Sequence, residues 1–167
     1  MSKIQELIQQ FNLQPHPEGG YFKETYRSNG SIPKNVLPEG YSGDRNHSTC
    51  IYFLLTSDTF SAFHRIHQDE IWHFYDGSPI LLHMISDRGE YSNITIGTHF
   101  DAGQTPQFVV PGGYWFAAEV LEKDTYSFVG CTVSPGFHFD DFQLPSQKEL
   151  LEIFPKHKEI IEKLTRI

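Results

Sequence analysis

The sequence predicts an all-β fold, a sandwich or barrel of short strands with a short helix before it and further helices after it. Three observations carry that prediction. From about residue 46 to about residue 134, β-rich segments follow one another at a spacing of about ten residues, the rhythm of sandwiches and barrels. Turn residues divide them: Asp76-Gly77, Asp87-Arg88-Gly89, Pro111-Gly112-Gly113 and Glu122-Lys123-Asp124 supply the positive φ or local hydrogen bonds that tight turns need. Nothing in that stretch has a helical period long enough for a crossover, which argues against parallel βαβ units.

Along the chain, Ser2 and Gln5 form a capping-box pattern, and Ile4, Leu7, Ile8 and Phe11 share one helical stripe, so a short amphipathic helix comes first. Pro15 and Pro17 end it, and Gly19-Gly20 leads into a strand-like run over residues 21–27. Residues 28–45 are rich in Gly, Pro, Asn and Ser without periodicity, which reads as a long loop or an arm able to reach a partner subunit. Strand candidates follow at 47–55, 60–66, 70–75, 79–86, 90–98, 107–110, 114–121 and 125–134. Ser146 and Glu149 then repeat the capping box before Leu150, Leu151 and Phe154, and Pro155 starts a further turn carrying Ile160, Ile161 and Leu164. Such helices are expected to cover an outer face or an open edge of the barrel.

A chain of 167 residues is about the size of one domain, so a single domain over 1–167 is expected. With 38% hydrophobic and 20% charged residues it has the balance of a soluble globular protein. A formal charge of −8 with scattered basic residues argues against nucleic acid as a partner. No stretch approaches the roughly 20 apolar residues of a membrane span, and the N-terminus lacks an apolar leader core, so a cytoplasmic address without membrane contact is expected. Cys50 and Cys131 each sit in an apolar strand-like run and read as buried free thiols.

The segment richest in chemistry runs from Phe63 to Gly77, where His64, His67, Glu70 and His73 crowd together. Histidine and carboxylate ligate zinc, iron or manganese, and they also make acid–base pairs that work near neutral pH. On adjacent strands His64 and Glu70 can face each other. In an extended strand Glu70 points with Trp72 and Phe74, and His73 points to the opposite face with Ile71 and Tyr75, unless a bulge shifts the phase.

This segment resembles the first motif of the cupin superfamily, in which paired histidines precede a glutamate and a glycine follows. Glu70 and Gly77 hold the motif's spacing, and His64 matches the first histidine; Ile66 stands at the second, with His67 one residue out of register. Pro111-Gly112-Gly113-Tyr114-Trp115-Phe116 resembles the second motif, with Phe116 where its histidine ligand would be. The chain is also similar to an uncharacterised cupin subgroup through His16-Pro17-Glu18-Gly19-Gly20-Tyr21-Phe22, residues 48–55, residues 70–75 and Val133-Ser134-Pro135-Gly136-Phe137. The resemblance implies a cupin double-stranded β-helix, a jelly-roll barrel, similar in fold to metal-free deoxysugar-nucleotide epimerases and to seed storage proteins.

The leading expectation is a small-molecule-binding cupin, an isomerase or epimerase acting on a sugar-like or other small polar substrate. Its catalytic candidates are His64 or His73 as base, Glu70 as orienter, and Tyr75 or Tyr114 as acid. Arg45 and Arg65, ahead of Arg27, are candidates to hold an anionic group, and Trp72, Tyr114 and Phe116, with Trp115, Phe74 and Phe137, to form a stacking surface. No cofactor is expected, because Ile66 and Phe116 replace two of the implied metal ligands. The alternatives are a metal-dependent dioxygenase or isomerase using His64, Glu70 and His73 or His67, and a non-catalytic binding protein. His138 and Asp141 are outlying candidates, and a homodimer is expected.

Overall fold

Ser2 starts the first helix in the computed structural model, which describes residues 2–167. Its hydroxyl accepts from the Gln5 backbone N–H while the Gln5 side chain accepts from the Ser2 backbone, so α1 (Lys3–Gln10) carries the expected capping box. Leu7 on its inner stripe, and Leu13 beyond it, pack against Leu54 and Phe128 on the outside of a sheet.

After β1 (Gln14–Pro15) and β2 (Tyr21–Arg27), the 28–45 segment forms β3 (Ser31–Ile32), which pairs with β4 (Arg45–Asn46). It lies against its own barrel, where Arg45 meets Asp141. The strand run follows as β5 (Thr49–Thr56), β6 (Phe60–His64), β7 (Asp69–Gly77), β8 (Ile80–Ile85), β9 (Tyr91–Ile96), β10 (Gln107–Val110), β11 (Trp115–Val120) and β12 (Tyr126–Ser134). One sheet has the order β1-β2-β5-β12-β7-β10 and the facing sheet β6-β11-β8-β9, with antiparallel ladders throughout both. This is the all-β jelly-roll arrangement that the turn spacing predicts.

The main core fills the space between the sheets, with Phe53, Trp72, Leu82, Ile96, Phe116 and Val129 buried there. Each such side chain is worth about 1.5–3 kcal/mol when withdrawn from water. The second capping box forms at Ser146 and Glu149 and starts α2 (Gln147–Ile153). With α3 (Lys158–Lys163), it buries Leu150, Ile161 and Leu164 against Phe63, Trp115 and Ala117. The C-terminal helices therefore cover the outer face of the smaller sheet, which explains why β11 is apolar on both faces. No helix among the described residues is long and apolar enough to cross a membrane.

In β7 the burial alternates, with Glu70 and Trp72 inward and His73 and Tyr75 outward. The ladder to β12 runs without interruption from Glu70 to Phe74, and its bulge falls at Tyr75. Glu70 and His73 therefore stay on opposite faces. Gly130 on β12 lacks the Cβ that would occupy the space of the Tyr75 hydroxyl.

Candidate functional site

A cavity of about 240 Å³ opens among β2, β5, β6, β7, β12 and the strap over residues 135–143. His64, at the end of β6, and Glu70, at the start of β7, both reach it, as the spacing of the first motif predicts. They are joined by His16 and Glu18, which come from the turn between β1 and β2.

That turn is built to deliver Glu18. The His16 N–H donates to the Gly20 carbonyl and the Gly19 N–H to the His16 carbonyl, with Gly19 at φ 117° and Gly20 at φ 73°, conformations that glycine alone adopts without strain. The Glu18 carbonyl accepts from the Ala62 N–H at 2.8 Å and from Arg166 at 2.6 Å, so β6 and the C-terminal residues fix its backbone. The carboxylate points inward, with Oε2 3.0 Å from His64 Nε2 and Oε1 accepting from the Ser61 hydroxyl at 3.0 Å.

His64 Nδ1 lies 2.7 Å from the Ala62 carbonyl, which can only accept, so that nitrogen carries a proton. Burial alone would lower the pKa of His64, but Glu18 outweighs it and, with Glu70 and the Ala62 carbonyl, raises it. Burial likewise raises Glu18, and His64, His16 and Ser61 reverse that and lower it. The two directions agree: each partner favours the charged form of the other, with His64 Nε2 facing Glu18 Oε2 at 3.0 Å. His16 goes the other way, because burial and the His64 charge lower its pKa against Glu18. Its Nδ1 accepts from the Glu18 N–H at 3.3 Å, leaving Nε2–H as the donor of a neutral ring.

Glu70 is the group nearest its titration point. Burial first, then the Glu18 carboxylate, push its pKa up to about 7, opposed by His64 and by the Cys131 thiol and Trp72 indole that face it. Cys131 itself is pushed up by burial and by the Glu70 and Glu18 carboxylates, so it stays a thiol. An imidazole whose pKa is lowered, a histidine–carboxylate pair that favours its charged forms and a carboxyl poised near neutrality thus share one cavity. Proton transfer is the chemistry such a set supports.

The other sequence candidates lie elsewhere. His73 faces outward between Thr132 and Gln107, at 3.1 Å from each, because three residues along a strand reverse the face. Tyr75 is half exposed on the same outer face, and Tyr114 packs on the main core. Trp72 and Phe116 are fully buried; Phe116 lies across the ladder from His64 with ring centroids 4.1 Å apart, as a support for the imidazole. Arg45 is buried in a two-pronged ion pair with Asp141 at 2.7 and 2.6 Å, and Arg65 lies 4.4 Å over the Trp115 ring while donating to Gln143. His67 stands beside Tyr41, away from the cavity. Among the described residues Arg27 is the one arginine that lines the cavity, and Phe137 and His138 line it as well. His16 and Glu18 belong to a segment that carries the resemblance to the cupin subgroup, but no chemical role is legible for them in the sequence, since their partners lie far along the chain.

Residues 5–145 match the family described as Cupin superfamily (DUF985). The chain belongs to that family. This cupin is 34% identical over 149 residues to the uncharacterized protein YML079W of Saccharomyces cerevisiae, an alignment spanning 84% of this chain and 74% of that protein. Among solved structures it is similar to protein SO0799 from Shewanella oneidensis, at 39% identity and TM-score 0.88 over 99% of both chains. It is also similar to a hypothetical protein from Leishmania major, at 34% identity and TM-score 0.89 over 98% of both. Oxalate decarboxylase from Bacillus subtilis shares the fold at 15% identity and TM-score 0.55, over 90% of this chain and 36% of that one.

A divalent metal, implied by the superfamily's ligand positions, does not fit the side chains this cupin presents. Ile66 and Phe116 put carbon at two of those positions. Both His64 nitrogens are already engaged, Nδ1 2.7 Å from the Ala62 carbonyl and Nε2 3.0 Å from the Glu18 carboxylate.

Proposed function

We propose that this cupin is a metal-free isomerase or epimerase that moves a proton at the carbon next to a carbonyl of a small molecule. The observation that carries the reading is Glu70, a carboxyl on the cavity wall whose pKa is lifted to about 7 beside His16, Glu18 and His64. A base titrating near the working pH is ionised often enough to take a proton and basic enough to hold it. Glu70 takes the proton, and the neutral His16 ring donates from Nε2–H to the oxygen on which charge develops. The His64–Glu18 pair balances that charge without leaving its place; Glu70 then returns the proton to the neighbouring carbon, which isomerises the substrate, whereas epimerisation needs a solvent proton delivered to the opposite face of the same carbon.

The test is solvent-deuterium incorporation into a panel of enolisable hydroxyketones, keto-sugars and cyclic and aryl ketones. Wild-type protein exchanges at least one of them, and Glu70→Gln lowers the rate about 100-fold or more, the scale of a lost general base. No exchange with any compound, with binding retained, favours a non-catalytic binding protein. Elemental analysis tests the metal-free part: stoichiometric iron, manganese, nickel or zinc that is lost in His64→Ala would overturn it.

The expected homodimer is part of the same proposal. The outer face of the larger sheet around Ile71, His73 and Tyr75 is left uncovered by α1, which packs nearer Leu54 and Phe128. Sedimentation velocity at micromolar concentration would give a dimer; a monomer would refute it.

A further inference from the structure

The reading of the cavity as a carbonyl site leaves open what else its ligand carries, and the charges around the cavity speak to that. We infer that the ligand is an uncharged compound built on an apolar ring, and that the site turns away molecules bearing phosphate or carboxylate. The inference rests on the proposed function for the carbonyl alone.

Among the described residues, Arg27 is the one arginine or lysine that lines the cavity. Binding of a carboxylate or phosphate normally uses the two-pronged edge of a guanidinium. In Arg27 that edge is taken: Nε donates to Glu24 Oε1 at 2.9 Å and Nη2 to Glu24 Oε2 at 2.8 Å. Nη2 also donates to the Phe137 carbonyl at 3.1 Å and Nη1 to Asn46 Oδ1 at 2.8 Å. Of five N–H groups, one remains. Two histidines of the wall are paired with carboxylates as well, His64 with Glu18 at 3.0 Å and His138 with Asp140 at 3.5 Å. An incoming anion would have to break an existing pair, and it would enter a cavity that already holds the carboxyl groups of Glu18, Glu24 and Glu70.

Most of the rest of the wall is carbon, with His16, Thr49, Cys131 and His138 as its remaining polar side chains. Phe22, Phe53, Phe137, Phe139 and Phe142 line the cavity, with Ile51, Ile66 and Val133 between them. Phe139 stands at the rim, half exposed, with its ring edge-on to Phe137 at 5.0 Å and to Phe142 at 5.9 Å. Rings arranged edge to face make a slot into which a further flat or chair-like ring fits.

Acetophenone, benzoate and phenyl phosphate test this, since they share a ring and differ in charge. Ligand-observed NMR on the wild-type protein at pH 8 is expected to give acetophenone a Kd at least about tenfold below either anion, a difference of about 1.4 kcal/mol. In Glu24→Gln, the freed Arg27 edge is expected to tighten benzoate about tenfold relative to acetophenone. Benzoate or phenyl phosphate binding as tightly as acetophenone in the wild type would overturn the inference, and so would failure of all three to bind. Benzoate unchanged in Glu24→Gln would overturn the role given to Arg27. Acetophenone that binds, with no exchange in D₂O into it or into any compound of the panel, sinks the proton-transfer reading and leaves the ligand class standing. Exchange into dihydroxyacetone phosphate, with tighter binding than acetophenone, keeps the chemistry and sinks the ligand class.

Discussion

A carboxyl group that is buried beside another carboxylate releases its proton late, and Glu70 meets both conditions. Its pKa of about 7 lies above the unfolded value, so the folded state holds a proton that the unfolded chain has released across the window from about 4.5 to about 7. The sign follows: folding stability falls as pH rises through that window, and Glu70→Gln removes the loss. Urea unfolding at pH 5 and at pH 8.5 should therefore find the variant's advantage over wild type larger at the higher pH by on the order of 2–3 kcal/mol. An advantage that does not change with pH would mean that Glu70 ionises normally. The exchange rate should rise through the same pH region, since the ionised form is the base.

His64 has the same pH slope, because Glu18 raises its pKa; unlike Glu70 its partner stabilises it, and the pair contributes stability that is present below the ordinary histidine value and fades as pH rises through the raised one. Glu18→Gln removes the main source of that raising, and NMR titration should then find His64 losing its proton at lower pH than in wild type. An unchanged titration would refute the pairing. His64 and Glu70 were legible in the sequence because motif spacing ties them together. Glu18 was not, since its distance from His64 is set only by the closing of the barrel.

The turn carrying His16 and Glu18 depends on Gly19, where a side chain would meet the Phe60 carbonyl and Arg166 at a φ of 117°. Gly19→Ala is expected to cost 2 kcal/mol or more, on the order of a strained backbone plus a lost contact, and to reduce exchange beyond the loss of folded protein. Thermal unfolding and exchange rates together check both parts. The strap over 135–143 is held in another way, by Arg45 and Gln68 on Asp141, by Ser42 on Asp140, and by a bridge from Arg65 to Gln143. Asp141→Asn leaves Arg45 buried without its partner and should destabilise by roughly 3 kcal/mol. A change within about 0.5 kcal/mol would deny the ion pair that role. Neither device shows as periodicity: β3 and β4 are two residues each, too short to alternate. Arg45 was read as a substrate anchor because an arginine's partner in a distant strap is invisible in one sequence.

The barrel as a whole was the most legible feature, because turn chemistry and alternation recur in every hairpin and a jelly roll is built of little else. Its interior chemistry depends on a few inward positions, and two of them, Ile66 and Phe116, carry carbon beside His64 and Glu70. If those two residues are what separates this chain from a metal-binding barrel, the double variant Ile66→His, Phe116→His should acquire a metal site. Replacing a buried phenyl and a buried isoleucine by imidazoles costs about 3 kcal/mol or more without metal. Zinc that binds only the folded state returns part of that, by RT ln(1 + [Zn]/Kd), about 2.7 kcal/mol at a hundredfold excess over Kd. His64 must then give up the Nε2 proton it shares with Glu18, so binding should release a proton and weaken as pH falls. The expected result is one zinc per chain and a zinc-dependent rise in Tm for the double variant, with neither in wild type. Zinc uptake equal in both proteins, or a double variant that folds and ignores zinc, would show that the barrel's choice between metal and proton chemistry lies elsewhere than at these two positions.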